Sequence, residues 1–382
     1  MSVKFSNLGN EATIIMGQSP PGESYNQNGK GAPLLNGPSE FGLVHPRERQ
    51  WTTIPTKFCE VGDVLFCVRG ATAGRLNLAE KKYCIGRGLA AIRGKAGKLD
   101  SSFLRYVLAN GYSTFQSRGV GSTFINISGD ELARFPIPNL PLLEQRRIAD
   151  ILDRTDALRA NRRAALAQLD PLTQSIFFQL FGDPNTSSQG WPRLALREVA
   201  HQITDGEHLT PRRTMEGIKL LSARNIRDGY IGVSDVDYIS REEHERIKVR
   251  CNPEEGDVLI SCSGTIGRVA TVRIQEPISL VRSVALVKPK RDVIDSIFLE
   301  HYLRAPALRD KMSRSANASS QANLFQGQIR ELPAMLPPLP LQREFARRVA
   351  SVEKLKATQR ASLAELDALF ASLQHRAFRG EL

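Results

Sequence analysis

The chain of 382 residues repeats itself once, and this duplication constrains the fold more than any other feature of the sequence. The stretch GDVLFCVRGATAGR at 62–75 returns as GDVLISCSGTIGR at 256–268. Near the end of each copy, 158–181 and 355–378 share 11 of 24 residues. One repeat at this distance predicts two similar domains rather than a solenoid, which needs a shorter period and more copies.

The offset between the two copies changes early in each copy and is constant later. It is 195 between Arg87 and Arg282, and it is 197 between 122–136 and 319–333 and at every later position. Each copy therefore consists of a globular part of variable length followed by a segment of fixed length. A fixed length indicates a part whose geometry matters.

The globular parts combine strand-like runs with helical segments. GDVLFCV, GLAAIRG, DVLISC and SVALVKP have the length of strands and end at Gly, Pro or charged residues. The apolar residues of 101–112 and 295–312 instead have helical spacing. We therefore predict an α+β domain at 1–140 and a second one at 185–338.

The segments of fixed length, 141–184 and 339–382, are predicted to be two long helices that pair as a coiled coil. Each follows a proline-rich stretch, and apolar residues then recur at alternating spacings of four and three. The seam positions are Ile148, Leu152, Leu166, Leu169 and Ile176 in the first helix and Phe345, Val349, Val352, Leu363, Leu366, Phe370 and Leu373 in the second.

Polar residues interrupt this seam at the same positions of both helices, which leaves two interpretations open. Polar seam residues fix the register of a coiled coil at a cost in stability. Alternatively, Leu158 and Leu355 take over the seam and the polar side chains are solvated. The polar residues concerned are Arg159 and Arg162 in the first helix and Lys356 and Gln359 in the second.

Chain order predicts that the two helices run antiparallel, because the first ends where the second domain begins and the second starts where that domain ends. The predicted molecule is pseudo-twofold, with two domains separated by the helical pair. A helix of about 40 residues spans ~60 Å, more than one ~34 Å turn of DNA. Pro171 lies inside the first helix, opposite Ala368, and predicts a kink there.

Composition limits the class of protein. The chain has 52 basic and 40 acidic residues, a net charge of +12, and such an excess favours a polyanionic partner such as nucleic acid. No apolar run has the ~18 residues that span a membrane, and the first residues do not resemble a signal peptide. The five cysteines form no CxxC pair, and His201 and His208 stand without further metal ligands. We therefore expect a cytoplasmic protein without disulfides or a metal site.

Several stretches together resemble one known family. LPLLEQRRIADILDRTDAL and LPLQREFARRVASVEKL follow the two domains, and MGQSPPGESYNQNGKGAPLLNGPSEFG at 16–42 and ITDGEHLTPRR with GIKLLSARNIRDGYI open them. With the duplication, these stretches make the chain similar to the specificity subunit of type I restriction-modification enzymes over nearly its whole length.

The resemblance implies a division of labour. Each domain, a target recognition domain, would read one part of a bipartite site in double-stranded DNA. The helical pair would set the spacer and dock two methyltransferase subunits, which flip and methylate an adenine in each part. Motor-nuclease subunits would join this complex. The chain itself would be non-catalytic and would bind no cofactor, because the partner subunits would hold the methyl donor and the nucleotide.

One position departs from the family pattern. Such proteins often carry a glutamine ahead of the first helix, where this sequence has Phe124, whereas the second copy keeps Gln321. A polar role shared by the two copies is therefore not expected at this position.

The alternative is a stand-alone enzyme that modifies DNA. An adenine methyltransferase needs an Asn/Asp-Pro-Pro-aromatic motif, but neither SPPG nor LPPL follows Asn or Asp. GATAGR at 70–75 is too short for a P-loop and has arginine in place of lysine. Asp63 with EKK at 80–82 resembles a nuclease pattern, but the second copy does not repeat it. These absences favour the non-catalytic interpretation.

Candidate DNA contacts are the polar and basic residues near the glycine-rich turns, because such side chains contact phosphates and base edges. In the first domain they are Gln18, Ser19, Tyr25, Asn36, Arg69, Thr72, Arg75, Arg118, Ser122 and Thr123. In the second domain they are Asp205, His208, Thr210, Arg212, Arg213, Arg224, Asn225, Ser263, Thr265, Arg268 and Gln321.

Overall fold

The computed structural model describes residues 4–117, 125–184, 189–316 and 322–382. The chain forms two compact units. The first consists of Met1–Ala164 and Arg360–Leu382, and the second consists of Ala165–Gln359. The first unit therefore takes part of its structure from the C-terminal helix, far away in sequence. The three predicted boundaries, after residues 140, 184 and 338, stay a prediction.

The first unit is built around a four-stranded antiparallel sheet. Its central strand Val64–Cys67 is buried on both faces: Val64 and Phe66 point into one apolar cluster and Leu65 and Cys67 into another. A strand that separates two cores reads as a continuous apolar run, which is what the sequence shows. The order of the strands is Ala12–Met16, Leu89–Gly94, Val64–Cys67 and Leu76–Leu78.

A second, mixed sheet of five short strands covers one of these cores. Its strands Ala32–Leu35 and Tyr83–Ile85 are parallel, and the other pairings are antiparallel. The order is Tyr25–Asn26, Trp51–Thr52, Ala32–Leu35, Tyr83–Ile85 and Phe58–Cys59.

Helices close the other core of the first unit. Ser101–Asn110 begins at Asp100, whose carboxylate accepts hydrogen bonds from the amides of Ser102 (3.0 Å) and Phe103 (3.1 Å), the usual N-cap arrangement. The remaining elements are Leu8–Glu11, Gly22–Ser24, Gly70–Thr72, Tyr112–Ser117 and Gly129–Ala133, with the strand pair Phe5–Asn7 and Pro136–Pro138.

The second unit repeats this plan. Its antiparallel sheet has the order Ala200–Asp205, Val284–Pro289, Val258–Ser261 and Val269–Thr271, and its mixed sheet has the order Arg213–Thr214, Asp237–Ile239, Ile218–Leu221 and Ile278–Leu280. The short strand pairs are Arg193–Ala195 with Pro333–Met335 and Ile226–Arg227 with Tyr230–Ile231. The helices are Leu196–Glu198, Ala223–Asn225, Arg241–Lys248, Ser296–Leu303, Pro306–Ala316 and Gln326–Arg330. The duplicated sequence thus forms a duplicated mixed α/β fold.

Pro171 divides the first of the two predicted long helices instead of only kinking it. The segment predicted as one helix forms Leu142–Leu169 and a separate helix Leu172–Phe181. Proline lacks an amide hydrogen and clashes with the preceding turn, so the helix stops before it. Ala368 has no such effect, and the C-terminal helix runs unbroken over 41 residues from Leu339 to Arg379. Of the helices in the described ranges, none is long and apolar enough to cross a membrane.

The two units contain the same ion pair between helical segments. In the first unit, Arg159 Nε donates to Asp367 Oδ1 at 2.6 Å, and the guanidinium lies over the ring of Phe370 at 4.3 Å from its centroid. In the second unit, Lys356 Nζ lies 3.2 Å from Asp170 Oδ1. Both members of the pair recur at the constant offset of 197.

Side-chain exposure excludes one of the two interpretations of the polar seam positions. Leu158 is 51% exposed and Leu355 is 52% exposed, so the interpretation in which these leucines take over the seam is wrong. Arg159 and Lys356 are instead largely buried and ion-paired. The acidic partners Asp367 and Asp170 are more exposed, but an ion pair between two helical segments still constrains their register because its two members must meet.

Candidate nucleic-acid interface

Three segments of the first unit meet at one end of its antiparallel sheet, here termed the first turn end. They are 17–19, which follow the strand Ala12–Met16, 68–75, which connect Val64–Cys67 to Leu76–Leu78, and 86–88, which precede Leu89–Gly94. Backbone hydrogen bonds join them: the amide of Gly17 donates to the carbonyl of Leu89 (2.9 Å) and the amide of Val68 to that of Gly88 (2.9 Å).

Five predicted contact residues lie together at the first turn end. Gln18, Arg69 and Arg75 are exposed, and Ser19 and Thr72 are half-buried. No ion pair engages either arginine within the described part of the chain. A folded surface that presents unpaired guanidinium groups attracts anions.

The glycines of this end form a tight turn in both units. Gly70 and Gly74 have φ of 75° and 90°, and Gly264 and Gly267 have φ of 67° and 78°. Glycine is favoured there because other residues rarely adopt positive φ. The amide of Gly70 also donates to the carbonyl of Ile125 at 2.9 Å, which ties the turn to the segment before Gly129–Ala133.

The second turn end comprises 206–208, 262–268 and 281–283, which occupy the corresponding places in the second unit. The amide of Gly206 donates to Val284 (3.0 Å), and that of Cys262 donates to Ser283 (2.8 Å), as in the first unit. The predicted residues His208, Ser263, Thr265 and Arg268 lie here, and Asp205 ends the adjoining strand.

Some predicted contact residues of the second unit are engaged with neighbours. Asp205 lies 2.8 Å from His208 Nε2 and accepts a hydrogen bond from Arg250 Nη2 at 2.8 Å. Arg213 and Arg224 both pair with Asp237, at 2.9 and 3.2 Å. Their contact with DNA stays a prediction.

Other predicted residues hold loops in place. Asn225 is buried, and its Nδ2 donates to the carbonyls of Gly232 (3.0 Å) and Asp235 (2.8 Å). Asn36 Nδ2 donates to Gln50 Oε1 at 2.7 Å, and the hydroxyl of Tyr25 donates to the carbonyl of Pro20 at 3.2 Å. These polar groups have structural partners within their own units.

The remaining predicted residues fall into two groups. Thr210 and Arg212 are exposed in the loop after His208. The candidates Arg118, Ser122, Thr123 and Gln321 lie outside the described residues, as does Phe124.

Arg87 and Arg282 were not among the predicted contact residues, yet both are exposed at the turn ends. Two features identify these arginines. They occupy equivalent positions in the two copies, which the sequence shows, and each lies in a tight turn at the end of a sheet, which only the fold shows.

The nuclease-like pattern around Asp63 is not assembled in the fold. The carboxylate of Asp63 is buried and accepts hydrogen bonds from Arg93 Nε (2.7 Å) and Nη2 (2.8 Å). In the second unit, Asp257 is equally buried and accepts from Lys288 Nζ at 2.8 Å. Both carboxylates therefore anchor the strand that follows them.

Two further observations concern reactive groups. The cysteines are buried, and burial raises the pKa of Cys59 to about 11 and the pKa of Cys251 to about 12, so these thiols are protonated near neutral pH. Within the described ranges, no group of three or more His, Cys, Asp or Glu side chains is placed to hold a metal ion.

The geometry defines a duplicated protein in which each unit presents basic turns at one end of a sheet. The family model for the type I restriction modification DNA specificity domain matches residues 3–169 and 219–368. These matches cover most of both copies, and the chain belongs to this family.

Named relatives agree with this assignment. A protein of Methanocaldococcus jannaschii assigned as the MjaX specificity subunit of a type I restriction enzyme is 40% identical over 171 residues, which are 44% of this chain and 40% of that protein. The EcoBI specificity subunit of Escherichia coli is 29% identical over 174 residues, 44% of this chain and 36% of the subunit. The matched segments thus span well under half the length of these relatives.

Solved structures show the same fold. The type I restriction-modification S subunit from M. genitalium has a TM-score of 0.63 at 17% identity and covers 98% of this chain and 96% of its own. A second structure, described as showing complex assembly and conformational transition of the type I R-M system, has a TM-score of 0.61 at 19% identity and covers 100% and 98%. At these identities the likeness establishes the fold.

Proposed function

We propose that this chain is the DNA-specificity subunit of a type I restriction-modification system and that each unit contacts one part of a bipartite site in double-stranded DNA. The observation that carries this proposal is the pair of turn ends, each with unpaired arginines at corresponding positions. The net charge of +12 supports it, because neutralising phosphates is the main source of affinity for DNA.

The long helices are proposed to separate the two units and to set the spacer between the two half-sites. The repeated ion pairs, Arg159 with Asp367 and Lys356 with Asp170, support a defined register between helical segments. In this proposal the helices pair antiparallel as a coiled coil, and the molecule is pseudo-twofold.

Chemistry is assigned to partner subunits. The chain would assemble with two methyltransferase subunits and with motor-nuclease subunits, which would hold the methyl donor and the nucleotide. The names of the relatives, specificity subunits of restriction enzymes, support this arrangement. The burial of Asp63 and Asp257 also supports it, because these carboxylates are engaged with Arg93 and Lys288.

Mapping of methylated adenines across the host genome, with and without this chain, tests the function. We expect methylation at a bipartite sequence that disappears when the chain is deleted and returns when it is restored. An unchanged methylation map would contradict the proposal.

A second measurement separates this function from a stand-alone enzyme. The purified chain is expected to bind duplex DNA, to bind no methyl donor, and to show neither nuclease nor methyltransferase activity. Activity in a pure preparation that is abolished by one carboxylate substitution would establish the enzyme instead.

A further inference from the structure

Arg87 occupies the second position of a tight turn at the first turn end. The amide of Leu89 donates to the carbonyl of Gly86 (3.0 Å) and closes the turn, and the amide of Arg87 donates to Ser19 Oγ (3.2 Å). Neighbouring segments hold this turn from outside. The amide of Gly86 donates to Leu35 (2.8 Å), and the carbonyl of Gly88 accepts from Val68 (2.9 Å).

Arg282 occupies the same turn in the second unit. The amide of Val284 donates to the carbonyl of Val281 (3.0 Å), and the amide of Arg282 donates to the carbonyl of Glu207 (2.9 Å). The outer contacts also recur. The amide of Val281 donates to Leu221 (3.0 Å), and the carbonyl of Ser283 accepts from Cys262 (2.8 Å). Three of the four hydrogen bonds around Arg87 thus recur at equivalent residues around Arg282, and the amide of the arginine itself is bonded in both units, to a side chain in the first and to a carbonyl in the second.

Both side chains are exposed, and neither guanidinium forms an ion pair within the described part of the chain. Neighbouring arginines of the second unit behave differently: Arg213 and Arg224 pair with Asp237, and Arg250 pairs with Asp205. An arginine that is rigidly placed at its backbone, exposed and unpaired has its full charge available for a ligand.

The duplication separates two kinds of contact. A residue type that is identical at corresponding positions of both units cannot by itself make the units read different sequences, whereas the phosphate backbone is the same in every sequence. A residue that differs between the units can discriminate. Two residues after the inner strands Val64–Cys67 and Val258–Ser261, the first unit has the exposed, unpaired Arg69 and the second unit has Ser263.

Resting on the proposed function, we propose that Arg87 and Arg282 are equivalent phosphate anchors, one for each half-site, and that Arg69 contacts base edges in the first half-site. The paired arginines place each unit on the duplex. The neighbouring position, which differs between the units, then reads the sequence.

The test measures binding of the full chain to a library of duplexes with randomised half-sites at a series of salt concentrations. Arg87→Ala and Arg282→Ala are each expected to lower the affinity for all sequences alike. Each should reduce the magnitude of the slope of log K against log salt by about one, and the double variant by about two. The order of preferred sequences should stay that of the wild type.

Three further variants sharpen the test. Arg87→Lys should restore the slope, because a phosphate accepts a lysine, whereas a guanine edge read by two hydrogen bonds distinguishes the two side chains. Arg69→Ser should change the preferred sequence of the first half-site. Arg154→Ala is the matched control, because it removes an exposed arginine that pairs with Asp150 on the helix Leu142–Leu169. It should change neither the salt slope nor the preferred sequence.

The outcomes are distinguishable. If the wild-type chain binds no duplex DNA, the proposed function itself fails. If the wild type binds but Arg87→Ala and Arg282→Ala leave the slope unchanged, or change the preferred sequence, the anchors are refuted while the function stands. Unchanged thermal unfolding of each variant confirms that the fold is intact.

Discussion

His301 couples the stability of the second unit to pH. The side chain is mostly buried beside Phe345, with ring centroids 5.1 Å apart, and burial lowers the pKa of His301 to about 4. In the unfolded chain a histidine has a pKa of about 6.5. The unfolded state therefore binds more protons between these values, and the free energy of unfolding decreases as the pH falls from 6.5 towards 4.

Replacing this histidine should remove part of that dependence. We expect His301→Gln to lose less stability than the wild type between pH 7 and pH 5, with a difference of up to about 1.4 kcal/mol per pH unit in that window. Urea denaturation at both pH values measures it. His201→Gln, at an exposed position, should retain the wild-type pH dependence; equal behaviour of the two variants would contradict the assignment.

Asp63 is expected to contribute to stability rather than to chemistry. Asp63→Ala removes the bidentate partner of Arg93 and the acceptor of the Glu60 amide. We expect a loss of about 2 kcal/mol, less than for a fully buried pair because the Arg93 side chain is 41% exposed. Asp150→Ala, which breaks the exposed pair with Arg154, should cost about 0.5 kcal/mol or less. Similar losses in denaturant titrations of the two variants would refute this role.

The loop after the strand Ala12–Met16 needs a glycine at position 17 because a larger side chain has no room there. A Cβ at Gly17 would lie 2.2 Å from the carbonyl oxygen of Gly86 and 2.8 Å from that of Leu89, whereas a Cβ at Gly22 would meet nothing within 4 Å. Gly17→Ala should therefore destabilise the first unit by about 1–3 kcal/mol, and Gly22→Ala should be nearly neutral. Thermal unfolding compares the two; equal effects would show that the crossing of the two sheets tolerates a side chain.

Long elements were predictable from the sequence, and short ones were not. The strand Val64–Cys67 and the helix Ser101–Asn110 follow from continuous or periodic apolar residues. Strands of two residues, such as Tyr25–Asn26, are too short to show any period. The parallel pairing of Ala32–Leu35 with Tyr83–Ile85 joins residues about 50 positions apart and leaves no local signal.

The candidate interface was predictable to a similar extent. The turn around Gly70 and Gly74 is local, so its repeated glycines predicted it. The engagement of Arg213 and Arg224 depends on Asp237, which approaches them only in the folded sheet. Sequence alone therefore grouped paired and unpaired arginines together, and it left Arg87 and Arg282 out.

If the two long helices set the spacer, lengthening both helices should move the two half-sites of the DNA target apart. Seven residues inserted after both Ala164 and Ala361, which are equivalent in the two helices, preserve the heptad seam and lengthen each helix by ~10 Å. We expect the methylated half-sites to lie about three base pairs further apart, at ~3.4 Å per base pair, with each half-site sequence unchanged. Methylation mapping checks this, and insertion in one helix alone, which mismatches the pair, should abolish methylation. An unchanged spacer would refute the ruler.

The contribution of Arg360–Leu382 to the first unit has a consequence for biosynthesis. Phe370 packs against Tyr106 and Phe378 against Phe103, at centroid distances of 5.9 and 6.0 Å, and Ala377 is fully buried. The ribosome makes these residues only after Ala165–Gln359, which is the whole of the second unit. At ~5–20 residues per second that delay is on the order of 10–40 s. The domain that emerges first thus waits for its last core residues, and the domain translated later is the earlier of the two to be complete.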